Sequence, residues 1–281
     1  AAYGMSDTTF QIIEARNPPP ETIRKWTVSR IVGTARCGVW IALGAGLAWS
    51  LYGAFDPDVF FRYMPKMAGG LIITIKLVVF SIFFGGLLAI PLALARMSKS
   101  EIVRACAFGY VYFFRGTPLL GQMFLMYYGA GQFVDQLQSL GLWWFFRDAY
   151  NCVLLTFVLN TTAYQAEIYK TAIESIPRGQ REAAESLGLK KSVTFWKIIF
   201  PQAMITALRP LGNEIILMIK GSAVASLVTV FDLMGATKLA FSRTFDFNVY
   251  LWAAIIYFTI VETLRRTWDW VEIRLTRHLV R

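Results

Sequence analysis

Several things are scarce in this chain, and each scarcity removes a class of chemistry. There is one histidine, His278, and three widely separated cysteines, Cys37, Cys106 and Cys152. Such a set offers neither a metal-ligand spacing nor a disulfide framework, and cysteines set in or beside hydrophobic segments read as inert buried thiols. No G-x-x-x-x-G-K-[ST] stretch occurs, so the chain has no phosphate loop of its own. No nucleophile sits near a base, which argues against a catalytic enzyme. Charge is scarce as well, at 16% of residues against roughly 25% in a soluble domain.

What fills the chain is apolar: 56% of residues are hydrophobic, in runs near the roughly 20 residues that cross a bilayer. The pattern predicts spans at Cys37–Phe55, Gly69–Ala95, Thr117–Phe133, Tyr150–Ile168, Ala203–Leu233 and Val249–Leu264, an all-α polytopic membrane protein. The net charge of +10 does not point to nucleic acid, because the basic residues lie between apolar runs rather than in one patch. Segments 1–36, 96–115, 170–209 and 265–281 hold 5, 4, 7 and 5 Lys and Arg, whereas 56–68, 131–148 and 235–248 hold 2, 1 and 2. By the positive-inside rule both termini and the segment around 177–201 are expected to be cytoplasmic. Ala1–Gly4 looks like an added leader before Met5. Residues 1–36 read as a polar arm stiffened by Pro18–Pro20, with no cleavable signal.

The segment Pro177–Pro201, PRGQREAAESLGLKKSVTFWKIIFP, is the charged exception among the apolar runs. Pro177 and Gly179 permit a change of direction, and Arg181–Leu187 favours a short helix. Gly188 is placed to end that helix in a left-handed turn. Ser192 is expected to cap a second helical stretch, Val193–Phe200, which Pro201 closes, with Phe195 and Trp196 packing on the span ends. The bland reading is an amphipathic helix on the membrane surface.

Glu182-Ala183-Ala184, Gly188 and Ile198-Ile199-Phe200-Pro201, at this spacing, resemble the EAA loop of permease subunits of binding-protein-dependent ABC importers. Phe114–Leu119, Asn160–Ile168 and Pro210–Glu214 followed by Lys220 resemble the polar amino-acid branch, most of all the M-type subunits of histidine and octopine or nopaline importers. The resemblance covers about residue 67 to the C-terminus. It implies a five-helix permease core, 67–264; the extra transmembrane helix and external loop before it, 37–66, lie outside the resemblance and are expected to pack around the outside of the core. It also implies a coupling loop, 177–201, docked on a cytoplasmic ATPase dimer through Arg178, Gly179, Glu182, Ala183 and Gly188. This chain would bind no cofactor or metal; ATP and Mg would sit on the ATPase. Further implied partners are a second permease subunit, a periplasmic solute-binding protein and the bilayer of a bacterial inner membrane. One departure is Gly221 after Lys220, where many relatives carry an acidic residue.

Polar groups inside spans mark cargo chemistry, since a mid-bilayer carboxylate costs about 3 kcal/mol on insertion scales. Glu214 is the strongest candidate, with Asn213 and Met218 beside it and breaks expected at Pro210, Gly212 and Gly221. On the fourth span Asn160, Tyr164 and Glu167 share a helical face, with Thr161 adjacent. An acidic centre suits a cationic side chain or an α-ammonium group, and with the resemblance this implies a cargo such as histidine, arginine, lysine, ornithine or an opine. The structural alternatives are interhelical hydrogen bonding for the Asn160 face and an ion pair with Lys76 or Lys220 for Glu214. A self-contained channel or ion-coupled transporter, with Glu214, Glu167 and Lys76 relaying protons, is the competing function. The tail, 265–281, alternates Trp268, Trp270 and Ile273 with arginines and reads as a basic helix along the inner leaflet. His278 reads as a solvated tail residue.

Overall fold

The computed structural model describes residues 28–53 and 55–277, and all its regular structure there is helical. The arm up to residue 27 and His278 lie outside the described residues. The chain divides at Phe55 into two units. Among the described residues the first holds one helix, α1 (Val28–Gly53), which starts ahead of the expected Cys37 and exposes Trp40, Ile41 and Trp49.

The second unit carries everything else. Asp56 caps α2 (Pro57–Arg96): its Oδ1 accepts from the N–H groups of Asp58 at 2.9 Å and Val59 at 3.3 Å, and Pro57 takes the first turn, where no partner is needed. This cap places the helix start twelve residues before the expected Gly69. Then follow α3 (Glu101–Gly116), α4 (Leu119–Ala130), the short α5 (Val134–Ser139) and α6 (Trp143–Phe146), and α7 (Ala149–Glu174). Next come α8 (Arg178–Ser186) and α9 (Lys191–Val193), a π-helical stretch Thr194–Ile199, and α10 (Phe200–Gly221) with its 3-10 continuation Ser222–Val228. The chain ends with α11 (Leu233–Thr244) and α12 (Asn248–Thr276). The five expected core spans correspond to α2, α4, α7, α10 and α12. Helices α3 and α11 fall where connecting loops were expected, because their charged ends hide short apolar faces.

Helix α7 is the centre, with α2, α3, α4 and α10 packed around it. The buried residues of α2 recur at helical spacing through Tyr63, Met67, Gly70, Thr74, Leu77, Ser81, Gly85, Ala89 and Ala93. Many are small, so the backbones approach closely: a Cβ at Gly85 would stand 2.7 Å from Cγ2 of Thr161 on α7. The outer face of α2 is apolar as well, with Val79, Phe83, Leu87 and Leu88 exposed. A helix apolar all round needs a solvent of its own polarity, which lipid provides. Among the described residues two helical stretches, Pro57–Arg96 and Lys191–Val228, are long and apolar enough to cross a membrane. Helix α4 has only 12 residues, about 18 Å at 1.5 Å per residue; Pro118 separates it from α3, and it ends at Ala130, ahead of the expected Phe133.

Two expectations are corrected here, one about the tail and one about the cysteines. Residues 265–276 continue α12 without interruption rather than forming a separate surface helix. The stretch contains no proline or glycine, and Glu262 ties Arg265 at 2.9 Å and Arg266 at 2.7 Å along the helix. Cys152 is buried, whereas Cys37 and Cys106 are exposed rather than buried.

Candidate functional site

Helix α8 is a small element presented on its outer side and anchored on its inner one. Ala184 is buried, while Arg178, Gly179, Glu182 and Ala183 are exposed. Spacings of four place Arg178 above Glu182 and Gly179 above Ala183, on the side away from Ala184. The helix ends as its sequence requires. Gly188 has φ +69°, its N–H donates to the Glu185 carbonyl at 2.9 Å, and the Leu189 N–H donates to the Ala184 carbonyl at 3.1 Å. This is a Schellman ending, with glycine at the left-handed position. Beneath α8 lies a hollow of about 400 Å³ lined by Arg181, Glu185, Ile173, Lys191 and Phe195.

The helix after α8 does not stop at Pro201. Its N-cap is Lys190 rather than Ser192, and it runs on into α10. Pro201 has no N–H and would crowd the carbonyl four residues back in a regular helix. The chain relieves this by winding Thr194–Ile199 as a wider turn, in which the Phe200 N–H donates to the Phe195 carbonyl five residues earlier. Phe195 packs on the buried Ile173–Ile199–Ala203 cluster, while Trp196 stays exposed against Phe195 and Phe200. A continuous helical path therefore leads from the turn after α8 to Val228.

Glu214 stands on that path, 6% exposed, in line with Ala203, Ala207 and Met218 on the face of α10 turned to the core. It makes no ion pair among the described residues; Lys76 and Lys220 are exposed and neither reaches it. Met218 belongs to the main apolar cluster with Leu77, Met123, Val153 and Phe157. The expected breaks at Pro210 and Gly212 are absent, since both lie inside α10, and only at Gly221–Ser222 does the helix tighten to 3-10 geometry. Gly212 serves another purpose: it receives the Trp268 ring so closely that a Cβ there would collide with it, and Trp268 Nε1–H donates to the Leu208 carbonyl at 2.8 Å. Asn213 is exposed beside this contact, in a groove with the Arg209–Glu272 ion pair of 2.8 Å. Asn213 and Glu214 thus point to different places.

The α7 residues meet the turn between α3 and α4. Pro118 cannot donate to the Phe114 carbonyl four residues before it, so that acceptor needs partners from elsewhere. Asn160 Nδ2 donates to it at 3.0 Å and Gln122 Nε2 at 2.8 Å. Asn160 also donates to Gln122 Oε1 at 3.0 Å. Arg115 lies over the Tyr164 ring at 5.3 Å and 3.8 Å from Glu167, which binds Arg96 at 2.9 Å. Asn160, Tyr164 and Glu167 therefore do share a face, and that face holds the Phe114–Thr117 turn. Thr161 is fully buried against Gly85 instead. Gln122, Arg96 and Trp268 were not among the expected functional residues. The proline four positions after Phe114 was the one local signal that a partner such as Gln122 must exist.

Residues 81–268 match the family described as "Binding-protein-dependent transport system inner membrane component". This chain belongs to that family. Among similar permeases, the nopaline transport system permease protein NocM of Agrobacterium fabrum is 38% identical over 80% of this chain and 93% of its own length. The octopine transport system permease protein OccM of Rhizobium meliloti is 39% identical over 80% and 95%. The arginine ABC transporter permease protein ArtM of Escherichia coli K12 is 34% identical over 71% and 90%. A crystal structure of an amino acid ABC transporter with histidines aligns at TM-score 0.70 and 33% identity, covering 78% of this chain and 99% of that one. The MetNI methionine ABC transporter aligns at 0.64 with 16% identity, a likeness of fold. The permease fold is thus the one in which α8 and Glu214 have to be interpreted.

Proposed function

We propose that this chain is a membrane subunit of an ABC importer for polar, cationic amino acids or opines, worked by a separate ATPase dimer. The observation that carries the reading is the exposed stripe Arg178, Gly179, Glu182 and Ala183, on a helix held from behind by Ala184 and closed by Gly188. A recognition element of this kind suits docking into a groove of a cytoplasmic partner. The ATPase would supply ATP hydrolysis, and its closure would move α8. The unbroken helix through Pro201 would then pass that motion to Glu214, seven turns or fewer along the same element. A second permease subunit and an external solute-binding protein complete the assembly, with both termini and α8 on the cytoplasmic side and several helices crossing the inner membrane.

For cargo, Glu214 is a buried carboxyl on the core face of α10 with no ion pair among the described residues, and it would meet a cationic side chain or α-ammonium group. Thr161, Asn213 and Met218 serve this reading less directly, as supports around α10 and α7, while Asn160, Tyr164 and Glu167 would set the turn that borders the passage. The relatives that transport nopaline, octopine and arginine favour the same cargo class.

The test is uptake of labelled arginine and histidine into vesicles holding the complete complex. Uptake should require internal ATP and the external binding protein, and Glu182→Lys should release the ATPase and lower uptake at least tenfold. Uptake driven by an ion gradient without ATP would replace this reading with an ion-coupled transporter.

A further inference from the structure

Where α2 ends, its last residue, Arg96, meets α3 and α7 in a cationic cleft that shares Glu167 and Arg115 with the turn beside the passage but whose Arg104, Lys170 and Phe108 neither the coupling nor the cargo reading uses. The Arg96 side chain is only 9% exposed. Its Nη2 donates to Glu167, its guanidinium lies 5.0 Å from the Phe108 ring centre, and its buried Nε–H has no acceptor. Two hollows, of about 450 and 310 Å³, share Arg96 and Phe108 in their walls. Arg104 and Lys170 line the larger and Arg115 the smaller.

The charge count is uneven. Four cations line the hollows, against the two carboxylates Glu101 and Glu167. Glu174 answers Lys170 at 3.2 Å from a half-exposed position, and Glu101 meets Arg104 only at 3.6 Å with both side chains largely exposed. Even with Glu174 included, one positive charge is left over, and one unsatisfied N–H belongs to a buried guanidinium. A buried donor without an acceptor is costly, and an anion at such a cluster lowers that cost.

The rim decides which anion fits. Phe108 and Tyr112 are exposed and stacked at 5.7 Å along the outer face of α3, with Ile102 exposed on the same helix. A soluble anion has no use for an apolar aromatic strip beside its site, whereas an acyl chain does. We infer that this cleft binds one anionic phospholipid, its phosphodiester among Arg96, Arg104 and Lys170 and an acyl chain along Phe108 and Tyr112. Basic pockets between membrane helices hold anionic headgroups in this way. The site rests on α2 crossing the membrane, and its lipid contacts, Arg96, Arg104, Lys170, Phe108 and Tyr112, are not cargo residues.

The complete complex, delipidated in detergent, is titrated with phosphatidylglycerol, phosphatidylcholine or inorganic phosphate, and bound lipid is counted by native mass spectrometry. One phosphatidylglycerol per copy of this chain is expected, with little phosphatidylcholine. The double substitution Arg104→Gln, Lys170→Gln should weaken it roughly thirtyfold, from the usual worth of two surface cations. Removing the same charge elsewhere, Lys190→Gln with Lys191→Gln, should change it less than twofold. Arg96→Lys, which keeps the charge toward Glu167, should also weaken retention while leaving arginine uptake in mixed lipid above half. Equal retention of phosphatidylcholine, or equal loss in both double variants, overturns the inference. Displacement of the lipid by millimolar phosphate overturns it too, in favour of a free-anion site.

Discussion

Helix α8 and helix α7 are both polar among their neighbours, yet they use polarity in opposite ways. On α8 the polar groups face outward and only Ala184 is buried. On α7 the buried residues include Thr156, Asn160, Thr162 and Gln165: Asn160 and Gln165 donate to groups on neighbouring helices, while the Thr156 and Thr162 hydroxyls donate to carbonyls one turn back in α7 itself. The first arrangement leaves hydrogen-bonding capacity for a partner, whereas the second uses it to fix the bundle. Glu214 differs from both: it is buried like the α7 residues but has no ion pair.

Three substitutions test this contrast, from the largest effect to the smallest. Glu214→Gln removes a buried carboxylate that makes no ion pair among the described residues, so uptake of arginine should fall ten- to a hundredfold, the worth of one charged hydrogen bond. Melting temperature and ATPase association should hold. Unchanged rate and selectivity would place Glu214 with the structural groups of α7. Gly85→Val presses on Thr161 and should cost about 1–3 kcal/mol of stability, read as a lower melting temperature of the purified complex, with ATPase docking per folded molecule intact. Gly188→Ala forces a side chain into the left-handed turn at a cost of about 1 kcal/mol. It should reduce ATP-coupled uptake a few-fold with melting unchanged; a fall in melting temperature instead would show α8 to be part of the fold's core.

Much of this was legible in the residues taken in order. The left-handed Gly188, the short helix before it and the five core helices all follow from near neighbours: a glycine after a helix former, an apolar run of sufficient length. The errors also have local causes. Pro201 and Pro210 read as helix ends, but a π-turn absorbs the first and α10 continues through the second. Helices α3 and α11 are not legible as spans because charge at their ends outweighs their apolar faces.

The sequence by itself determined that the chain is helical and apolar enough for a membrane, and which short segment stands apart from the spans. Hydropathy, helix period and turn chemistry are properties of residues a few positions apart, so they survive without coordinates. Only the tertiary structure decided what each buried polar group is used for. Asn160 meets a carbonyl 46 positions away, Trp268 one 60 positions away, and Arg96 a carboxylate 71 positions away. Such partners are chosen by the packing of whole helices around α7, and no local pattern encodes that choice.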